Sequence, residues 1–279
     1  AKKLIFLAKK GGADAAKFQT YKAEKLAKVK SKAYWDISKE KTKSQFELFS
    51  KFDKFNNTDY KKLAKYCKKI KIDFLSTPFD TESVELLKSL VPAFKISSSD
   101  ITNYPLLKKV SKTKKPVLIS TGASNIQEIK NAVNILKKGT KKIIIMHCIL
   151  NYPTKDMDAN LNMITSLKNE FPEFIVGYSD HTIPDKNMMK LTSAFILGAK
   201  VLEKHFTHNK KLKGNDHYHS MDINDLKVLT SNLKKIINIL GSYKKKRVLK
   251  SEFKSRKFAR RCIVTKNKLR RGAIITEKD

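Results

Sequence analysis

The sequence predicts an α/β protein built as a parallel (β/α) barrel, and three observations carry that expectation. Seven short apolar segments alternate with amphipathic ones. Each apolar segment is nearly continuous in β-branched or aromatic character, as strands buried on both faces are. Each also runs straight into a polar cluster: Lys17-Phe18-Gln19, Ser76-Thr77-Pro78, Lys95 to Asp100, Ser120-Thr121-Gly122, His147-Cys148, Ser179-Asp180-His181 and Glu203-Lys204-His205. Chemistry at the C-terminal end of every strand is how a barrel builds its site. An open doubly wound sheet would gather it at one switch point. Because a closed barrel of this type has eight strands, the expected fold is a TIM-type (β/α)8 barrel lacking its first strand in this chain, followed by the start of a small β-rich domain.

In chain order, Leu4, Ile5, Leu7 and Ala8 mark an amphipathic helix that Gly11 and Gly12 end. Residues 13–20 read as a strand. Residues 22–50 form a long polar excursion that carries Trp35, with a helix over 44–52. The pattern predicts a helix over 60–71, with Leu63, Ala64, Cys67 and Ile70 on one face. Helices follow over 81–90, 104–111, 125–138, 161–170, 186–197 and 224–240, alternating with the strands. Such alternation implies parallel strands joined by right-handed crossovers. The barrel is expected over 1–240, a basic linker over 241–258, and the start of the second domain over 259–279, where Gly272 to Ile275 resembles a strand. Both ends of the chain read as cut.

A chain of 279 residues can bury one large core, and 41% hydrophobic content argues against disorder. No apolar run approaches the ~20 residues of a membrane span, and no signal-peptide layout opens the chain. Cys67, Cys148 and Cys262 lack CxxC spacing, which suits free thiols in a reducing cytoplasm. The net charge of +34 raises the possibility of a nucleic-acid binder. Against that, lysines are strewn along nearly every helix and no arginine precedes Arg247. Arg is the preferred base reader, and no zinc finger, RNA-binding sheet motif or basic zipper is present. The expectation is lysine-rich solvated helices whose positive field draws in phosphorylated substrates, with neither a specific nucleic acid nor a membrane as partner.

The chemistry divides into a cation site and an anion site. His181 and His205 end consecutive strands and suit a divalent ion such as Mn²⁺ or Zn²⁺, with Asp180 and Glu203 beside them as supporting groups. Lys17 and Lys95 interrupt apolar strands. Burying an ammonium requires a counter-charge, and with the hydroxyls of Ser98, Ser120 and Ser179 the pair makes a site for a phosphate or carboxylate. Asp100, on the strand of Lys95, is a candidate to hold a substrate hydroxyl or shuttle a proton. Gln19, Thr77, Tyr152 and Asp216 suit a polyhydroxy compound. His147 and Cys148 read as strand packing, and His217 and His219 as solvated loop residues.

Taken together, Ala16 to Thr20, Ser76 to Asp80, Lys95 to Asp100, Ser120 to Gly122, Tyr152-Pro153-Thr154, Gly177 to Thr182 and Glu203 to Thr207 resemble the sialic acid (N-acetylneuraminate) synthase family, in order and at compatible spacing. The resemblance implies a nonulosonic acid synthase, a transferase that condenses phosphoenolpyruvate with an N-acetylated amino sugar such as N-acetylmannosamine and releases phosphate by C–O cleavage. It implies Mn²⁺ or Mg²⁺ on His181 and His205. Phosphoenolpyruvate falls to Lys17, Lys95, Ser98, Ser120 and Ser179, and the sugar to Gln19, Thr77, Tyr152 and Asp216. Asp100 stands where bacterial members commonly have Glu. Leu150 stands where the family often has a polar phosphate contact, for which the neighbouring Asn151 is the substitute. Lys95, Asp100 and Glu203 are the expected catalytic groups, with either carboxylate handling the water. The tail from Ala259 resembles the start of the family's antifreeze-like (SAF) domain, which implies a domain-swapped homodimer. Legionaminic acid, pseudaminic acid or 9-phosphate synthases share this chemistry. A basic nucleic-acid binder or a non-catalytic barrel is the non-enzymatic alternative.

Overall fold

The structure, a computed structural model, describes residues 1–214 and 216–279, in two compact units, Ala1–Ile237 and Asn238–Asp279. The first unit carries all seven strands: β1 (Ala15–Thr20), β2 (Asp73–Pro78), β3 (Phe94–Ile96), β4 (Val117–Ser120), β5 (Ile143–Cys148), β6 (Ile175–Asp180) and β7 (Val201–Lys204). β1 pairs with β2, and β3 through β7 form a second ladder in chain order; every pairing is parallel. β2 lies alongside β3 without a ladder between them. The result is a curled parallel sheet in which neighbours in sequence are neighbours in space. All seven expected strands are present.

The helices are α1 (Lys2–Gly11), α2 (Ala23–Leu26), α3 (Gln45–Phe52), α4 (Asn57–Lys69), α5 (Thr81–Leu87), α6 (Tyr104–Ser111), α7 (Ile126–Lys137), α8 (Asn162–Glu170), α9 (Met189–Ile196) and α10 (Ile223–Leu240); all but the short α2, which lies in the expected polar excursion, sit where the amphipathic segments predict them. Their boundaries follow local chemistry. Gly12 closes α1 in the left-handed region at φ 97°, which costs a glycine nothing. Asn56 with Asp59, and Asn125 with Glu128, form reciprocal capping boxes that start α4 and α7. α9 begins later than the expected 186 because the Asp185 carboxylate accepts the Asn187 and Met189 N–H groups, making a turn first.

α1 and α4 to α10 each bury one face, whereas α3 buries no residue. Leu87, Leu107, Val110, Ile119, Ala132, Leu136, Ile145, Ile164 and Ala194 are fully buried in one continuous core. Each buried large aliphatic side chain stabilises the fold by about 1.5–3 kcal/mol as an upper figure. No helix among the described residues is long and apolar enough to cross a membrane.

The second unit holds a 3₁₀ turn (Lys250–Glu252) and α11 (Phe253–Phe258). Residues 259–279, expected to begin a β-rich domain, carry no strand here. Ile263, Val264, Ile274 and Ile275 stand exposed. A β-strand needs a partner ladder for its backbone groups, and these segments have none.

Candidate active site

Alternation along each strand sends one set of side chains to the concave face of the sheet, and the last residues of all seven strands meet there. The pocket is lined by Lys17 and Gln19 from β1, Thr77 and Phe79 at the end of β2, Lys95 from β3 with Ser97 and Ser98 after it, and Ser120 from β4. Cys148 from β5, the following Tyr152, Ser179 and His181 from β6, and Glu203 and His205 from β7 complete it. The sequence therefore brings Lys17, Gln19, Thr77, Lys95, Ser98, Ser120, Tyr152, Ser179, His181, Glu203 and His205 together.

Charge in the pocket is unbalanced. The Glu203 carboxylate accepts from Lys95 at 3.2 Å and from the Ser179 hydroxyl at 2.9 Å, with the Lys17 ammonium 3.8 Å away. Burial alone would push this carboxyl up; the Lys17 and Lys95 ammoniums, with the two hydrogen bonds, overcome it and hold it down at about 2. Burial lowers the Lys17 ammonium, Glu203 opposes that shift, and Lys95 adds to it. Two ammoniums thus share one carboxylate, which leaves a positive site that favours a further anion. Ser120 Oγ is buried with no hydrogen-bond partner, a donor a ligand would satisfy. Ser98 Oγ accepts the Gly122 N–H at 2.9 Å, and a side chain at Gly122 would meet that oxygen and Leu150, so the close turn requires glycine.

The imidazoles of His181 and His205 stand side by side, centroids 5.4 Å apart, with the Tyr152 ring 4.2 Å from His181. His181 Nδ1 lies 2.8 Å from the Ile149 carbonyl, so this nitrogen donates and Nε2 keeps its lone pair. Asp216 Oδ2 lies 3.6 Å from His205 Nδ1. Burial, with His205 alongside, lowers His181 to about 3, and burial lowers His205 to about 4, so both rings are neutral at pH 7. Two neutral imidazoles, one with its lone pair prepared, fit a divalent cation. No cluster of three or more His, Cys, Asp or Glu suited to a metal occurs among the described residues.

Three expected residues stand apart from the pocket wall. Asp100 is buried in the turn after β3, where Oδ1 accepts from Asn103 at 3.0 Å and Oδ2 has no partner; burial raises its pKa. Asn151 is exposed, and its carbonyl accepts the Thr154 hydroxyl at 2.9 Å. Asp216 lies beside His205 and beside His219, whose Nε2 is 3.6 Å from Oδ1. Two other expectations need correction. Cys148 is not mere strand packing: it lines the pocket, 3.5 Å from Ser98 Oγ. His219 is not solvated but wholly buried, 5.2 Å from the His205 ring. His147 does serve packing, bonded to the Ala159 carbonyl at 2.8 Å and stacked on Tyr178.

A concave parallel sheet with lysines, hydroxyls and paired imidazoles at its strand ends defines a class of enzyme-like barrels that bind an anion beside a cation. The chain belongs to the NeuB family, whose sequence profile matches residues 4–245. It is 40% identical over 99% of its length to the N,N'-diacetyllegionaminic acid synthase of Campylobacter jejuni, covering 83% of that protein. It is 42% identical, over 99% of its length and 77% of the relative's, to an uncharacterised protein of Methanocaldococcus jannaschii. Other relatives are named for N-acetylneuraminate-9-phosphate and pseudaminic acid. Among solved structures, the N-acetylneuraminic acid synthetase of Leptospira borgpetersenii, in complex with citrate, superposes with a TM-score of 0.80 at 31% identity, covering 94% of this chain and 87% of its own.

Proposed function

We propose that the protein condenses phosphoenolpyruvate with the open-chain aldehyde of an N-acetylated amino sugar to give a nonulosonic acid and inorganic phosphate. The observation that carries this reading is the pair of ammoniums sharing the single Glu203 carboxylate, next to two neutral imidazoles. Lys17, Lys95 and the hydroxyls of Ser98, Ser120 and Ser179 would hold the phosphate and carboxylate. Tyr152, Gln19, Thr77 and Asp216 would face the sugar. His181 and His205 would hold Mn²⁺ or Mg²⁺, which when bound supplies Lewis-acid polarisation of a carbonyl.

The C3 carbon of phosphoenolpyruvate attacks the aldehyde carbon, whose oxygen takes up a proton. Water adds to C2 and loses one proton; as the C2–O bond to phosphate breaks, the new C2 hydroxyl gives its remaining proton to the departing phosphate, leaving a 2-keto acid and inorganic phosphate. Glu203, pinned by Lys95 and Ser179, keeps its charge and aligns both lysines; a carboxyl at about 2 is a weak proton acceptor. Asp100, raised by burial, is the more basic of the two carboxylates but stands off the pocket wall, so the water's proton is not assigned to it on basicity alone.

The same reading treats the strands as those of a closed (β/α)8 barrel, residues 259–279 as part of an SAF domain, and the working form as a cytoplasmic homodimer. Phosphate release, assayed with a panel of N-acetylated hexosamines, their 6-phosphates and the diacetamido sugars, tests the function and ranks the sugars. Turnover with one class and loss of turnover in H205A are expected. No phosphate release with any of them, with Mn²⁺ present, overturns the reading.

A further inference from the structure

Directly behind the two imidazoles lies an ion pair that the reaction does not use. Asp180 and Lys204 are partners in the β6–β7 register, one residue before His181 and His205 respectively. Alternation turns them away from the pocket, and their side chains are 2% and 1% exposed, joined at 2.6 Å. Each also grips the residue after His181. Asp180 Oδ1 accepts the Thr182 N–H at 2.9 Å and the Tyr178 hydroxyl at 3.0 Å. Lys204 Nζ donates to the Thr182 carbonyl at 2.6 Å. Thr182 is wholly buried, and the His181 carbonyl in turn accepts the Thr154 N–H at 3.0 Å.

We propose that Asp180 and Lys204 are positioning residues: a buried clamp that closes on both sides of Thr182 and so fixes the separation of the His181 and His205 rings. The Lys204 ammonium bonds both the carboxylate before His181 and the carbonyl after it, while its own backbone leads into His205. The His181 backbone is held on both sides by these bonds, and Lys204 ties the start of the His205 segment to the same group. A well-packed apolar pair at such a site is generally as stable as an ion pair, or more so. The pair's contribution is therefore directional, and it lands on the two residues that need it.

The inference rests on the proposed cation site, and the test keeps the two separable. Mn²⁺ affinity is measured by calorimetry on wild type, H205A, D180N and the charge-neutral double variant D180N/K204M, each below its melting temperature. The double variant avoids stranding one buried charge, and D180N keeps acceptors for Thr182 and Tyr178 should the double variant not fold. A clamp predicts Mn²⁺ binding weakened at least tenfold in whichever variant is folded. Binding within twofold of wild type, with only the melting temperature lowered, overturns it. If wild type and H205A both bind no Mn²⁺, the cation reading fails. The clamp is then judged on a crystal structure of the variant: a ring separation unchanged from 5.4 Å overturns it, and a displaced ring supports it.

Discussion

Ser120 and Asp100 are both buried with an oxygen that no other group satisfies, yet they predict opposite things. Ser120 lines the pocket, so its unpaired hydroxyl waits for a ligand. S120A should leave the free protein as stable or slightly more so, because the unsatisfied donor is gone. It should also raise KM for phosphoenolpyruvate about 10- to 100-fold, the loss of one hydrogen bond to a charged group at about 1.5–3 kcal/mol. Thermal melts and initial rates measure both; a lowered melting temperature with unchanged KM would make Ser120 structural. Asp100 is raised by burial, so its ionised form is disfavoured in the folded state; the penalty is constant above the folded pKa and is relieved as pH falls through it toward the unfolded value. D100N should therefore stabilise the protein at pH 7, remove that pH dependence from urea titrations, and lower kcat if Asp100 takes the water's proton. Unchanged kcat would return that proton to another acceptor. At this scale the sequence was legible for residues that break a strand's apolar run. Lys17, Lys95, His181, His205 and Glu203 announced themselves so, and the structure brings all five together. Cys148 and His219 did not, because an apolar thiol suits packing and a loop histidine is ordinarily wet; only tertiary closure reveals them.

The strands and helices were legible because each carries a full period of pattern, and the seven strands occur where the apolar runs end in polar clusters. Of the excursion between β1 and α4 only α3 was legible. The rest has no period to read, and part of its order comes from one buried carboxylate. Glu40 is 3% exposed and accepts from Lys51 at 3.0 Å and from the Thr42 N–H at 3.2 Å, while its carbonyl accepts the Trp35 indole at 3.2 Å. Burial would raise its pKa, but the Lys51 and Thr42 bonds outweigh this and the carboxyl titrates below its usual range. A depressed folded pKa gives stability that is present above the unfolded value of about 4.3 and is lost as pH falls through the folded one. E40Q should therefore be less stable than wild type at pH 7 and converge on it in acid, following the Trp35 emission of the single tryptophan during unfolding. Parallel stability curves down to acid pH would show that the Lys51 pair contributes nothing.

The whole molecule carries a net charge of +34, and its surface lysines and buried lysines belong to different arguments. Composition alone could not separate them. Exposed lysines act through a field that salt screens, since the Debye length shortens from about 30 Å at 0.01 M to about 8 Å at 0.15 M ionic strength. Lys95, buried against Glu203, is shielded from that screening. Steering of an anionic substrate by the surface should therefore appear in kcat/KM and not in kcat. Across that salt range kcat/KM for phosphoenolpyruvate should fall several-fold while kcat holds within about twofold. A matched measurement of duplex DNA binding should show weak affinity with a linear log–log salt slope, the same in H181A as in wild type, because the imidazoles lie in the pocket and not on the surface that meets phosphate. If kcat falls in step with kcat/KM, salt is reaching the lysine pair itself, and the site is more open than its burial allows. If DNA binding depends on His181, the positive charge is there to serve a nucleic acid at the site, and the synthase reading loses its explanation for why two ammoniums share one carboxylate.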